Sequence, residues 1–416
     1  MLGCISALAL AFCCQLQADS IDGLRSAAEQ EGAGPEKWVS LGDALMQEAR
    51  NTLDHDFSAA QSAYLKALKL DDHYVDAIAG MAWVKNSEHQ FKAGEEWAKK
   101  ALDHDPKCLQ AYALLGDGAM ELGEYDAAFD HIQSALDIRA DLSTMSRAAH
   151  LLWLTGETTR AQALMGQAIR AGGPVPENEA WCRAELALMQ FRSGAMQGAI
   201  KQAEEAVKLA PENPRVLYIL ARIRAAQGRL NDAIELNEKS VLVTPTHESM
   251  AELVSLYEAA GEPEKAKKQV SKVLSFHKAH HHGGNGKIHT HGHGSGGNFQ
   301  LALFMAEQGL DPSAALAEAK RAYSAYPNLR AADAYAWCAH KAGDSKLAER
   351  MIRRAIEWNT ADPDFYFHAG MIMADAKKSA TAQKYLAKAL NLNPQFDPID
   401  ADVARKELER LQTSTH

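Results

Sequence analysis

The chain has 416 residues, 47% hydrophobic, 24% charged and 7% aromatic, a composition that excludes disorder throughout and leaves room for several domain-sized cores. Acidic residues outnumber basic ones 54 to 44, for a formal net charge of -10. Non-specific attraction to phosphate backbones or anionic membranes is therefore not expected, and a nucleic-acid partner is disfavoured.

Residues 1–18 carry no charged side chain, and the apolar run Ile5 to Cys14 is followed by Ala18 just before Asp19. The pattern predicts a secretory signal peptide and an exported chain, periplasmic or extracellular. The missing basic residues and Leu16 near the cleavage point depart from that pattern. An uncleaved apolar end and lipidation at Cys13 stay open, and with them a cytoplasmic or lipid-anchored chain. No other stretch approaches the roughly 20 apolar residues of a membrane span. Beyond the leader, Cys108, Cys182 and Cys338 are scattered and odd in number, so buried free thiols are expected rather than a disulfide framework.

A short helix is expected within 19–34, at Ile21 to Glu31. Self-similarity then dominates. Segments starting at Pro35, Val75, Leu109, Leu142, Ala180, Pro214, His247, Gly296, Leu329 and Pro363 align as ten units, mostly of 33 or 34 residues. With a six-residue insertion in the first unit, the twentieth position holds Ala60, Gly94, Ala128, Ala161, Ala199, Ala233, Ala266, Ala315, Ala348 and Ala382. Seven residues later stand Ala67, Ala101, Ala135, Ala168, Ala206, Ser240, Val273, Ala322, Ala355 and Ala389. Small side chains at fixed points let antiparallel helices and neighbouring units interlock. Gly123, Gly156, Gly194, Gly228, Gly261 and Gly343 recur at the fifteenth position, where a first helix must end in a left-handed conformation. Pro106, Pro211, Pro245, Pro327 and Pro394 follow second helices they cannot continue. Each unit reads as helix, turn, helix.

These residues resemble the tetratricopeptide repeat family. The unit from Pro214 matches best, with Leu217, Leu220, Ala221, Gly228, Ala233 and Pro245; the first unit contributes Trp38, Leu41 and Gly42. With the leader, the resemblance implies an exported bacterial member of the family, and an all-α fold: a right-handed α-solenoid of about ten units, first helices lining a concave groove. Units one to seven span 35–276, units eight to ten 298–396, and 397–416 hold a C-terminal capping helix, Asp400 to Leu411, and a tail.

In this family ligands are gripped from first-helix positions 2, 5, 9 and 12. Those positions give Trp83, Trp153, Trp181, Phe191, Tyr218, Arg222, Phe304, Arg330, Trp337, Phe367 and Met371. Aromatic and arginine side chains offer contact area at little entropic cost, so this set is the expected groove for a peptide or partner protein, with inter-unit core as the alternative for each member. The Lys and Asn pattern of the family's carboxylate-clamp branch appears in no unit, so that mode of tail binding is not expected. Arg215, Arg222, Arg224 and Arg229 cluster in one unit and suit an acidic segment or a solvated helix face.

Between units seven and eight, His277, His280, His281, His282, His289, His291 and His293 fall within a tract, 277–297, in which fourteen of twenty-one residues are His or Gly. Such a composition has no apolar face and reads as a flexible loop. Its imidazoles are candidate ligands for a divalent Zn, Ni or Cu ion, with an inert insertion as the alternative. No phosphate loop, dinucleotide fingerprint, zincin helix or nucleophile elbow is present. The sequence thus predicts a non-catalytic interaction scaffold that requires no cofactor, the alternative being a metal-handling accessory protein built on the histidine tract.

Overall fold

The computed structural model describes residues 20–52, 56–173, 175–281 and 298–413, so the leader expected over 1–18 lies outside it. Among the described residues there are twenty-two helices and no strand. After Ile21–Ala28, helices pair into ten units, and Asp400–Thr413 closes the series. The first helices are Pro35–Thr52, Val75–Ser87, Leu109–Glu121, Leu142–Leu154, Pro176–Arg192, Pro214–Ala226, His247–Ala259, Phe299–Glu307, Leu329–Lys341 and Pro363–Asp375. The fifth starts at Pro176 rather than Ala180, and the eighth at Phe299 rather than Gly296. In both, the chain before the packed register supplies the helix start: proline at its first position in one, the Asn298 side chain capping the Leu301 amide in the other. The helix Pro263–His281 also runs into the histidine tract, correcting the expectation that the loop begins at 277.

The small positions do the packing that their spacing predicts. Ala128, Ala161, Ala199, Ala315 and Ala348 are completely buried, as are Ala101, Ala168, Ala206, Ser240 and Ala322 seven residues on. Tyr64 is completely buried between Gly42 and Gly80, and a Cβ on either glycine would overlap its ring. Its hydroxyl donates to Asp43 at 2.7 Å. Cys108, Cys182 and Cys338 are free and buried.

The solenoid also docks on itself. Inter-helix turns of units three, four and five seat on the unit junctions five further along the chain. The Tyr125 hydroxyl accepts from the Leu329 amide at 3.2 Å, and Asn328 Nδ2 donates to the Glu121 carbonyl at 3.1 Å. Thr360 Oγ1 donates to the Leu154 carbonyl, and Asn393 Nδ2 to the Phe191 carbonyl at 2.8 Å. Arg192 pairs with Asp362 and lies 3.8 Å from Asp364. Near the N-terminal end, Thr244 Oγ1 donates to the Thr52 carbonyl at 2.7 Å. These contacts fold the concave face inward, and most of them satisfy backbone carbonyls at helix ends.

Candidate functional site

Two irregular first helices create the site. The insertion in unit one makes its first helix eighteen residues long, and the early start in unit five gives seventeen, against thirteen in units two, three and four. The extra turns meet across the concave face. Gln47 Nε2 donates to Asn178 Oδ1 at 3.3 Å, and the Arg50 guanidinium lies 5.0 Å from the centre of the Trp181 ring.

Under this bridge is a cavity of about 450 Å³. Met46, Trp83, Leu114, Met120 and Trp181 form apolar walls, with Phe57 and Phe91 from the turns and second helices. Into it project Arg50, Asn86, Asp117, Glu121, Arg147 and His150. Asp117 is committed, accepting from Arg147 Nε at 2.9 and 3.0 Å. Arg50 is exposed and has no ion-pair partner among the described residues; the protein packed around it, and then the neighbouring Arg147, lower its pKa. Asn86 Nδ2 donates to the Leu114 carbonyl at 2.8 Å, leaving its buried Oδ1 without a donor. His150 Nδ1 is likewise buried without a partner. Burial, reinforced by the Arg330 charge, holds the His150 pKa down at about 4, so the ring is neutral near pH 7. Glu121 is exposed at the edge of the cavity. Unpaired buried polar atoms are rare because each forfeits its hydration. Asn86 Oδ1 is packed against Gly94 and out of reach of the cavity, so the polar group the cavity offers a ligand is the Arg50 guanidinium, beside walls suited to an apolar side chain.

Of the eleven residues expected in the groove, Trp83 and Trp181 line this cavity. Trp153, Phe191, Tyr218, Phe304, Trp337 and Phe367 are instead buried core side chains, each 9% exposed or less. Trp337, for example, is stacked between His368 at 4.2 Å and His340 at 5.0 Å. Met371 packs against the same core. Arg330 is exposed. Arg222 lies 3.6 Å from Glu252 and donates to the Phe396 carbonyl at 3.3 Å. The other clustered arginines are also paired within the chain: Arg215 with Glu185 at 2.9 Å, Arg224 with Glu204 at 2.7 Å, and Arg229 with Asp232. Arg215 with Glu185 and Arg222 with Glu252, like Arg147 with Asp117, form a ladder of ion pairs between successive first helices, whereas Arg224 and Arg229 pair with second-helix residues. Arg50, Asn86 and His150 were missed. Arg50 sits on the added turn, beyond the positions a regular unit offers, and its signal was the insertion itself.

His277 is buried, with Nε2 at 2.8 Å from His247 Nδ1. His280 and His281 close the helix Pro263–His281, while His282, His289, His291 and His293 lie outside the described residues. Among the described residues no group of three or more His, Cys, Asp or Glu could hold a metal ion, and no helix is long and apolar enough to cross a membrane.

The tetratricopeptide repeat family matches residues 87–143, 147–214, 190–255 and 363–396. Over these residues the chain carries tetratricopeptide repeats. Several solved structures are similar to this chain. A human IFIT1 dimer with PPP-AAAA is 14% identical, covering 92% of this chain and 89% of its own, with a TM-score of 0.50. Yeast Tom70 is 13% identical over 98% and 94%, with a TM-score of 0.41. YrrB, described as a tetratricopeptide repeat protein with an unusual peptide-binding site, is 18% identical over 45% and 95%, with a TM-score of 0.32. No curated protein matches the sequence.

Proposed function

We propose that this tetratricopeptide array is a non-catalytic scaffold that holds a segment of a partner protein in the cavity between units one and five. The carrying observation is the Arg50 guanidinium, without an ion-pair partner among the described residues, beside apolar walls that include Trp83 and Trp181. An apolar side chain of the segment fills the space beside the indoles, and a carboxylate meets the Arg50 guanidinium. Repeats of this kind supply interaction surfaces rather than catalytic groups, which supports the same reading.

The test is to place a photoreactive benzoylphenylalanine at Trp83 and, as control, at exposed Val403, and to sequence the captured peptides. A synthetic copy of a peptide captured at 83 alone is expected to bind the unmodified chain, and Arg50→Ala and Trp181→Ala are each expected to weaken it by roughly tenfold or more. Capture equal to the Val403 control, or affinity indifferent to both substitutions, removes the cavity from the function.

A further inference from the structure

The second helices of units one and two, Ser58–Leu70 and Phe91–His104, face away from the concave side, and between them runs an outer groove of about 510 Å³. Its floor is Leu65, Leu68 and Trp97. Leu65 is 40% exposed although it lies in mid-helix, so the groove is an apolar surface that the fold leaves uncovered.

The charges around it are one-sided. Lys66, Lys69 and Lys100 line the groove, and none of them has an acidic partner among the described residues. Lys66 Nζ instead lies 4.1 Å over the Trp38 ring, and Lys100 Nζ 5.3 Å from the Trp97 ring. Lysines close by are paired: Lys92 and Lys99 both reach Glu95, at 3.2 and 2.7 Å. The carboxylate in the wall, Asp72, lies 3.6 Å from His73 Nε2. Three cations without acidic partners, beside exposed Leu65 and half-buried Trp97, are complementary to one class of surface: apolar along one stripe and acidic beside it.

The walls decide the shape of the occupant. Both are α-helices, of thirteen and fourteen residues, whose backbone groups are satisfied internally, so no sheet edge is offered to an added strand. Their ridges extend about 20 Å, the length of three to four helical turns. We infer that this outer groove is a second docking surface, distinct from the concave cavity, for an acidic amphipathic helix of a partner protein: leucine-type side chains at i, i+3 and i+4 enter between Leu65 and Trp97, and flanking carboxylates pair with Lys66, Lys69 and Lys100.

The probes are three labelled synthetic helices, one with a leucine stripe flanked by glutamates, one with the same stripe flanked by lysines, and a scrambled glutamate peptide, titrated into the full chain by fluorescence anisotropy. The glutamate helix is expected to bind roughly tenfold or more tightly than either control. The doubly substituted Lys69→Glu, Lys100→Glu chain reverses the preference toward the lysine helix, and Leu65→Ser weakens both. All three positions are exposed, so the variants keep the wild-type helical circular dichroism and melting temperature. Equal binding of the three peptides, or an unchanged preference in the charge-reversed chain, overturns the inference. So does tighter binding to phosphatidylglycerol-containing vesicles that the glutamate helix fails to displace, which would make the face a lipid surface.

Discussion

Six glycines in the same place of six units do two different jobs. Gly123, Gly156, Gly194, Gly228, Gly261 and Gly343 all have φ between 69° and 82°. The left-handed turn alone does not demand glycine here, because His89 and Lys377 hold φ of 56° and 58° at turns of units two and ten. A Cβ on Gly228, Gly261 or Gly343 would meet open space, whereas on Gly123, Gly156 or Gly194 it would overlap the carbonyl of Pro327, Trp358 or Leu392. Gly343→Ala should therefore lose only the left-handed penalty, about 1 kcal/mol. Gly156→Ala must also push apart a docked backbone and should lose on the order of 2–3 kcal/mol. Urea unfolding of both variants decides this, and equal losses would mean that the docked turns contribute nothing.

Between elements, the ion-pair ladder includes a buried histidine whose titration falls in an accessible range. His368, on Pro363–Asp375, places Nδ1 at 2.9 Å from Asp333 on Leu329–Lys341, and both side chains are buried. Burial opposes the imidazolium, but the Asp333 carboxylate outweighs it and lifts the His368 pKa to about 9. The folded value lies above the unfolded one, near 6.5. The stabilisation is therefore complete below about pH 6.5 and is lost as pH rises through about 9. Glu307 and Asp400, whose carboxyls burial lifts to about 8 and about 7, face the same imidazole. The informative quantity is thus the difference between wild type and His368→Gln. That difference should be on the order of 2–3 kcal/mol at pH 6 and should shrink toward zero by pH 10. A difference independent of pH would mean the ring acts by packing against Trp337 alone. Helix pairing of this kind was readable from the spacing of small residues, because Ala and Gly at two fixed points per unit leave one way for helices to approach. The wall of the groove was less readable. The positions that hold Trp153 and Phe191 turn toward the neighbouring unit, and whether a first-helix side chain meets the core or solvent depends on a few degrees of rotation between units, which a one-dimensional pattern does not encode.

In a linear solenoid each unit contacts only its neighbours, so damage spreads one repeat at a time. Here the five-unit docking adds a second coupling, which the repeat alone cannot reveal because it depends on superhelical pitch, summed over many junctions. Trp358 tests it. It sits at the junction of units nine and ten, its ring 5.7 Å from Tyr125 in an edge-on arrangement and its carbonyl against Gly156, more than 200 residues away in the chain. Trp358→Ala leaves the helices of units nine and ten with their own alanine packing at Ala348, Ala355, Ala382 and Ala389, but removes the aromatic contact across the seam. The loss should be about 2–3 kcal/mol, toward the lower end for a partly buried aromatic. Its distribution is the diagnostic. Amide hydrogen exchange should accelerate at the turns around Glu121 to Tyr125 and Leu154 to Glu157 as well as near residue 358, while units six and seven, closer in sequence to the substitution, stay protected. Acceleration that fades unit by unit away from residue 358, and leaves those two turns unchanged, would return the molecule to a nearest-neighbour solenoid and open the concave face along its length.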